Sequence, residues 1–220
     1  ARGGRSTNRR AHPGSRAMSD ANRSELEKRS DWERRQRASA GPRAPEPSVI
    51  EMLDLLPRGL ALDVAAGTGR HSLLLARAGF RVVAIDYAET ALRTLQSIAR
   101  AEQLPIWPLA ADHSTFPLPR GRFDAILNLN FLDRALVPRL IDALRPGGAL
   151  LFDTFLIDQA VTGHPRNPDF MLQHYELREL LREMDLVRYR EGLVAYPDGQ
   201  SAWRAAALAI RKGASSSRGA

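Results

Sequence analysis

The sequence predicts an α/β protein built on a doubly wound, seven-stranded, mostly parallel sheet whose last strand is antiparallel. Apolar runs of strand length alternate with amphipathic helical patterns across residues 45–212, which is how a parallel sheet covered by helices reads. A Gly-x-Gly turn joins the first run to the first of those helices, and a Pro197, Asp198, Gly199 turn joins the last two runs. The composition, 44% hydrophobic and 26% charged over 220 residues, suits one globular domain of ordinary density.

Taken in order, residues 1–23 hold almost no large apolar side chains and cannot repay the entropy of ordering themselves, so a disordered basic tail is expected. The acid-free stretch before Met18 has the arginine content of an organelle transit peptide without its apolar face; sequence upstream of a start at Met18 explains it equally well. Ser24 with Glu27 forms a capping-box signature, opening a short helix that carries Leu26 and Trp32. GPRAPEP at 41–47 breaks that helix, so 24–44 is expected as an N-terminal helix and linker. Ser48 with Glu51 is expected to open the helix SVIEMLDLL at the start of the organised domain, 45–212. Strands are expected at 60–65, 81–86, 105–110, 123–130 and 148–155, separated by the helical patterns RHSLLLARA, ETALRTLQSIAR and RALVPRLIDAL. After Phe155 the alternation lapses for 17 residues rich in Gly, Pro and Asn, a length that marks a functional loop. A helix near YELRELLREM then precedes the two final strands, the second being SAWRAAALAIRK, and 213–220 is expected as a disordered tail.

Composition removes several classes of function. Cysteine is absent, which excludes disulfides, thiolate metal sites, iron–sulfur clusters and a cysteine nucleophile, and no metal site is expected. No apolar run approaches the roughly 18 to 20 residues of a membrane-spanning helix, and without a secretory apolar core the expected compartment is the cytoplasm. The net charge of +7 suggests nucleic acid until it is located: residues 1–43 carry twelve basic against five acidic side chains, so the rest of the chain is neutral. Only Lys28 and Lys212 are lysines, and the arginine bias runs along the whole chain.

In a doubly wound sheet the ligand sits beyond the carboxyl ends of the strands, where strand order reverses. There the sequence places LDVAAGTGRHS. Gly67 and Gly69 let the backbone turn tightly, and the helix opening near Arg70 presents unpaired N–H groups. Asp86 ends the second strand 17 residues after Gly69, where an acid can accept both ribose hydroxyls of an adenosine; the competing role is an N-cap for the next helix. Ser72 stands where a dinucleotide fingerprint wants a third small residue, and Asp63 suits a methionyl ammonium better than a pyrophosphate, which favours a methyl donor over NAD. The third strand end supplies Asp112 and His113, and a carboxylate there can accept from an adenine amino group.

LDVAAGTGR, VVAID, AADHSTFPLP, FDAILNLNFL and LIDALRPGGALLFDTF together resemble the successive motifs of class I S-adenosylmethionine-dependent methyltransferases, over roughly residues 45–211. DWERR, TGHPRNPDFML and HYELRELL are similar to the small bacterial methyltransferases related to the tellurite-resistance protein. The resemblance implies a Rossmann-like methyltransferase fold with S-adenosylmethionine as cofactor. Asp63, Gly67 and Gly69 would hold its methionine part, Asp86 the ribose, and Asp112 with His113 the adenine; Asn128 would lie near the sulfonium, and Ala65, Arg70 and Tyr87 are further cofactor-binding candidates. Ala65 and Ala66 occupy a position where relatives often have glycine or cysteine, which is tolerable if the backbone there is ordinary. His174, Tyr175, Glu176 and Leu177 replace a Pro-Gly-Glu-Leu step before the last helix.

Methyl transfer needs alignment more than a base, since the sulfonium is already activated. For a protonated acceptor the base candidates are His71, His113, Asp133 and His174; helix packing competes as the role of His71, and capping as that of Asp133. Arg166 and Asn167 are candidates to orient the acceptor, with Asn130 and Trp32 also placed on the acceptor side. The leading expectation is an enzyme acting on a small molecule: a thiol, a chalcogen oxyanion or a small metabolite. Nucleic acid is a less favoured partner, because LNLNF lacks the Asn/Asp-Pro-Pro-aromatic step typical of base methylation. A non-catalytic cofactor-binding module is the third alternative.

Overall fold

The computed structural model describes residues 44–112 and 115–213. The expectations for residues 1–43, including Trp32 and the first helix, for His113 and for residues 214–220 fall outside them.

Seven strands form one sheet: β1 (Leu60–Val64), β2 (Arg81–Asp86), β3 (Ile106–Ala110), β4 (Phe123–Leu129), β5 (Leu144–Phe155), β6 (Met184–Ala195) and β7 (Ser201–Arg211). Their order is β3-β2-β1-β4-β5-β7-β6. β1 to β5 pair in parallel, and β7 runs antiparallel to both β5 and β6. The chain steps outward from β1 to β3 and then returns to build the other half from β4, so the strand order reverses between β1 and β4.

Period-two alternation sends side chains to opposite faces. Ala61, Val82, Ala84, Ala125, Leu127 and Leu151 face one helical layer: α1 (Pro47–Met52), α2 (Arg70–Arg77) and α3 (Glu89–Ala101). Leu62, Ile85, Ile126, Leu150 and Phe152 face the other, which includes α4 (Val137–Ala143) and α6 (Glu176–Leu180); the one-turn α5 (Gln159–Thr162) lies in the long loop between. α3 shows why these segments are helical: Ala91, Leu92, Leu95 and Ala99 are its buried residues and form one stripe at helical spacing. Fully buried Phe80 and Phe152 contribute about 1.5–3 kcal/mol each through burial.

Several boundaries differ from the expectations, each for a local reason. Ser48 does not cap α1; Pro47 starts the helix after Glu46, and the Ser48 hydroxyl donates to Asp153 Oδ2 at 2.5 Å. α4 starts at Val137, three residues later than its pattern suggests, because Asp133 caps a preceding turn through Ala135 N–H. β5 begins at Leu144, which pairs with Phe123 before the register slips and resumes at Ala149 opposite Ala125. Gly148 lies in that slip, where a Cβ would come within 3.0 Å of the Phe123 carbonyl oxygen. Pro108 fits within β3 because β3 is an edge strand.

Among the described residues no helix connects β3 to β4, so one face of that sheet edge is thinly covered. A cavity of about 460 Å³ opens there, lined by Leu60, Val83, Trp107, Phe116 and Phe123 among others, and Trp107 is 53% exposed. It lies at the amino ends of the strands, opposite the end where the strand order places a ligand.

Candidate functional site

The register aligns Val64 with Ile85 and Asn128, and Asp86 with Ala110, so the strand tips form one rim. At its centre the Asp86 carboxylate is buried against the glycine turn: Oδ2 accepts from Gly67 N at 2.7 Å and Oδ1 accepts from Ala88 N at 2.7 Å. The N-cap of α3 is Ala88, without a side-chain cap, so Asp86 braces the turn before the helix and does not cap it. Next to it, Tyr87 Oη donates to Asp112 Oδ1 at 2.6 Å, joining the tips of β2 and β3. Gly69 has φ +81°, and a Cβ on it would drive into Leu95 of α3. Ala65 has φ +53°, so the ordinary backbone that would make alanine harmless there is absent, and the left-handed conformation costs roughly 1–2 kcal/mol.

Asp63, like Asp86, is 1% exposed; Ser72 Oγ donates to its Oδ2 at 2.6 Å. Burial, reinforced by the neighbouring charge of Asp86 and only partly offset by Ser72, pushes its carboxyl up to about 7. Ser72, the residue that departs from the dinucleotide pattern, thus serves to pin this acid. His71 is buried beside it; burial and the Arg70 charge push its imidazole down to about 3, and Nε2 accepts from the backbone N–H of Glu46 at 3.2 Å. A neutral ring tied in this way is a packing residue.

The centre of the remaining polar network is Glu46, which the sequence reading did not select. Its Oε1 accepts from Arg70 Nη2 at 2.6 Å and from Asn130 Nδ2 at 2.9 Å, and its Oε2 accepts from Tyr196 Oη at 2.9 Å. Burial alone would raise this carboxyl, but Arg204, Arg70 and the bonds from Asn130 and Tyr196 hold it at about 2. Below it Arg204, 1% exposed, donates from Nε to Asp153 Oδ1 at 2.7 Å and stacks over Phe155 at 4.6 Å. The signal available in the sequence was a lone acid and a lone base in two otherwise apolar strands, FDTF and SAWRAAALA, an arrangement that buried strands tolerate only when the charges pair. Asn128, buried at the tip of β4, donates to Phe131 O at 2.7 Å and shapes the following loop.

The residues after β5 form a separate loop layer, held to the sheet by Leu172 pairing with Leu156. Asn167 caps a short turn through Asp169 N–H, and Arg166 is exposed. His174 Nε2 lies 2.8 Å from Asp158 Oδ2 and its Nδ1 3.7 Å from Glu191 Oε1. Arg134 anchors this layer, with Nε on Glu176 Oε1 at 2.5 Å and Nη2 on the Met171 carbonyl at 3.0 Å. The structure thus brings together Gly67, Gly69, Arg70, Asp86, Tyr87, Asp112 and Asn130 on one rim, sets Asp63 beneath it, and holds Arg166, Asn167 and His174 in the loop layer.

Residues 61–148 match the family described as a methyltransferase domain. A putative methyltransferase, YqeM, of Bacillus subtilis is 35% identical over 105 residues, 44% of this chain and 42% of that protein. The chain spans about half the length or less of the curated relatives it matches. TehB from Haemophilus influenzae superposes with a TM-score of 0.66 at 21% identity, over 76% of this chain and 63% of that one. The 1,6-didemethyltoxoflavin-N1-methyltransferase of Burkholderia thailandensis, solved with its substrate and S-adenosylhomocysteine, gives a TM-score of 0.66 at 20% identity, over 91% of this chain and 94% of that one. At these identities the two structures establish the shared Rossmann-like fold alone.

Proposed function

We propose that this protein transfers the methyl group of S-adenosylmethionine to a small-molecule acceptor. The observation that carries the reading is the Asp86 carboxylate bonded to the glycine turn at Gly67 N, with the Tyr87–Asp112 pair on the next strand tip. The donor set fits the cofactor: carboxylates at two neighbouring tips suit ribose hydroxyls and an adenine amino group, and the start of α2, which has no side-chain cap, offers N–H groups to the methionyl end. When bound, S-adenosylmethionine supplies an electrophilic methyl group on a sulfonium.

The contribution of the chain is placement. Asp86, Tyr87 and Asp112 hold the nucleoside, Gly67 and Gly69 keep the loop backbone close, and Asn128 shapes the β4 loop beside the reacting end. The layer containing Arg166, Asn167 and His174 closes over the acceptor and excludes water. Alignment of this kind is worth roughly 7–11 kcal/mol. For an acceptor that must lose a proton, His174, oriented by Asp158, is a candidate base among the described residues; a thiolate or reduced chalcogen needs no base. The neutral charge of residues 44–220 favours a small molecule over nucleic acid, and the substrate named for the Burkholderia enzyme is of that size class.

Calorimetric titration with S-adenosylhomocysteine tests the reading: micromolar binding to the wild type, lost in Asp86→Ala, is expected, whereas a folded wild type that does not bind refutes it. A panel of acceptors followed by S-adenosylhomocysteine formation then identifies the substrate class, and binding without turnover would leave a cofactor-binding module instead.

A further inference from the structure

Glu46 occupies the one place where the cofactor crevice and the two guanidinium groups beside it meet. It sits just before α1, 4% exposed, and reaches three elements at once: Arg70 directly after the glycine turn, Asn130 just past the tip of β4, and Tyr196 in the β6–β7 connection. Its own backbone is fastened as well, since Glu46 N–H donates to His71 and Arg70 Nη1 donates to the carbonyl of neighbouring Ala44 at 2.8 Å. Glycine turn and β4 tip are the two edges between which the methionyl end of the donor lies on the reading above. That end carries a sulfonium and an ammonium against one carboxylate, a net positive charge that the product lacks, and Arg70 stands beside it.

On that reading, we propose that Glu46 is a specificity-determining residue whose carboxylate neutralises Arg70, as Asp153 neutralises Arg204, so that the site accepts the cationic donor and releases the product, whose sulfur is neutral. Donor and product share the adenosine and the amino-acid group and differ by one methyl and one charge. Contacts to the shared parts cannot separate them, but a fixed countercharge can. Asp153 cannot fill this role alone, because both of its oxygens are engaged, by Arg204 and by Ser48. Glu46 is the acid that bonds Arg70.

The measurement is the ratio of dissociation constants, S-adenosylhomocysteine over S-adenosylmethionine, by calorimetry on the full chain without acceptor. Glu46→Gln keeps the shape and removes the charge, and should lower this ratio on the order of five- to tenfold, the size of one partly screened charge interaction. Glu46→Asp restores the charge and should restore most of the ratio even if both ligands bind more weakly. Arg70→Gln leaves the carboxylate in excess and should move the ratio the other way, which keeps the proposal testable if Glu46→Gln does not fold. An equal loss of affinity for both ligands in Glu46→Gln, or a ratio indifferent to Arg70→Gln, would reduce Glu46 to a structural strap and overturn the proposal. Wild type that binds neither ligand would instead overturn the functional reading itself.

Discussion

Asp63 is the residue whose environment is most at odds with its chemistry. An acid that holds its proton to about pH 7 when folded and releases it near 3.8 when unfolded favours the folded state fully below 3.8 and loses that contribution as pH rises through 7. The shift is worth roughly 4 kcal/mol at most. Asp63→Asn should therefore make the slope of urea midpoint against pH more positive between about pH 4 and 7, and an unchanged slope would show that Asp63 is not the proton-holding group. His71 acts in the opposite direction: its depressed imidazole contributes stability above 6.5 that is lost as pH falls toward 3. Between about pH 4 and 6.5 the two contributions have opposite slopes and largely cancel, so the loss from Asp63 shows by itself only as pH approaches 7.

At the scale of elements, the long loop after β5 depends on one side chain from the other side of the rim. Arg134 joins Glu176 to the carbonyls of Met171 and Asp169, and its guanidinium holds the Glu176 carboxyl below its ordinary range. These groups are partly exposed, so the contribution to global stability is small, about 1–2 kcal/mol. The local effect is larger, because loop closure is what Arg134 controls. Arg134→Ala should speed limited proteolysis within residues 157–175 severalfold while the sheet stays protected from hydrogen exchange; equal cleavage rates would mean that the Leu156–Leu172 pairing alone holds the loop.

Across the whole molecule, the parallel half and the antiparallel end of the sheet are joined by the β5–β7 ladder and by the buried Arg204–Asp153 pair. Removing one partner of such a pair strands the other charge in the core, which costs about 3–5 kcal/mol, whereas removing both can be nearly neutral. Arg204→Met should lower the unfolding free energy from urea titration by that amount, and adding Asp153→Leu should recover much of it. Full additivity of the two changes would show that the residues are not coupled.

The sequence by itself determined the alternation of strand and helix, the glycine turn and the acid at the tip of β2, because each is a local signal: the period of the apolar residues and the spacing between Gly69 and Asp86 do not depend on what lies across the sheet. The tertiary structure alone decided which polar groups meet. Glu46 and Tyr196 are 150 residues apart, and Arg204 and Asp153 are 51 apart. No local pattern ties a linker acid to a hairpin tyrosine, nor distinguishes Asp63, buried beneath the rim, from Asp86, bonded to the turn itself. Those contacts follow from strand order, which places β4 beside β1 and folds the last hairpin back against β5, and the electrostatics of the site follow from them.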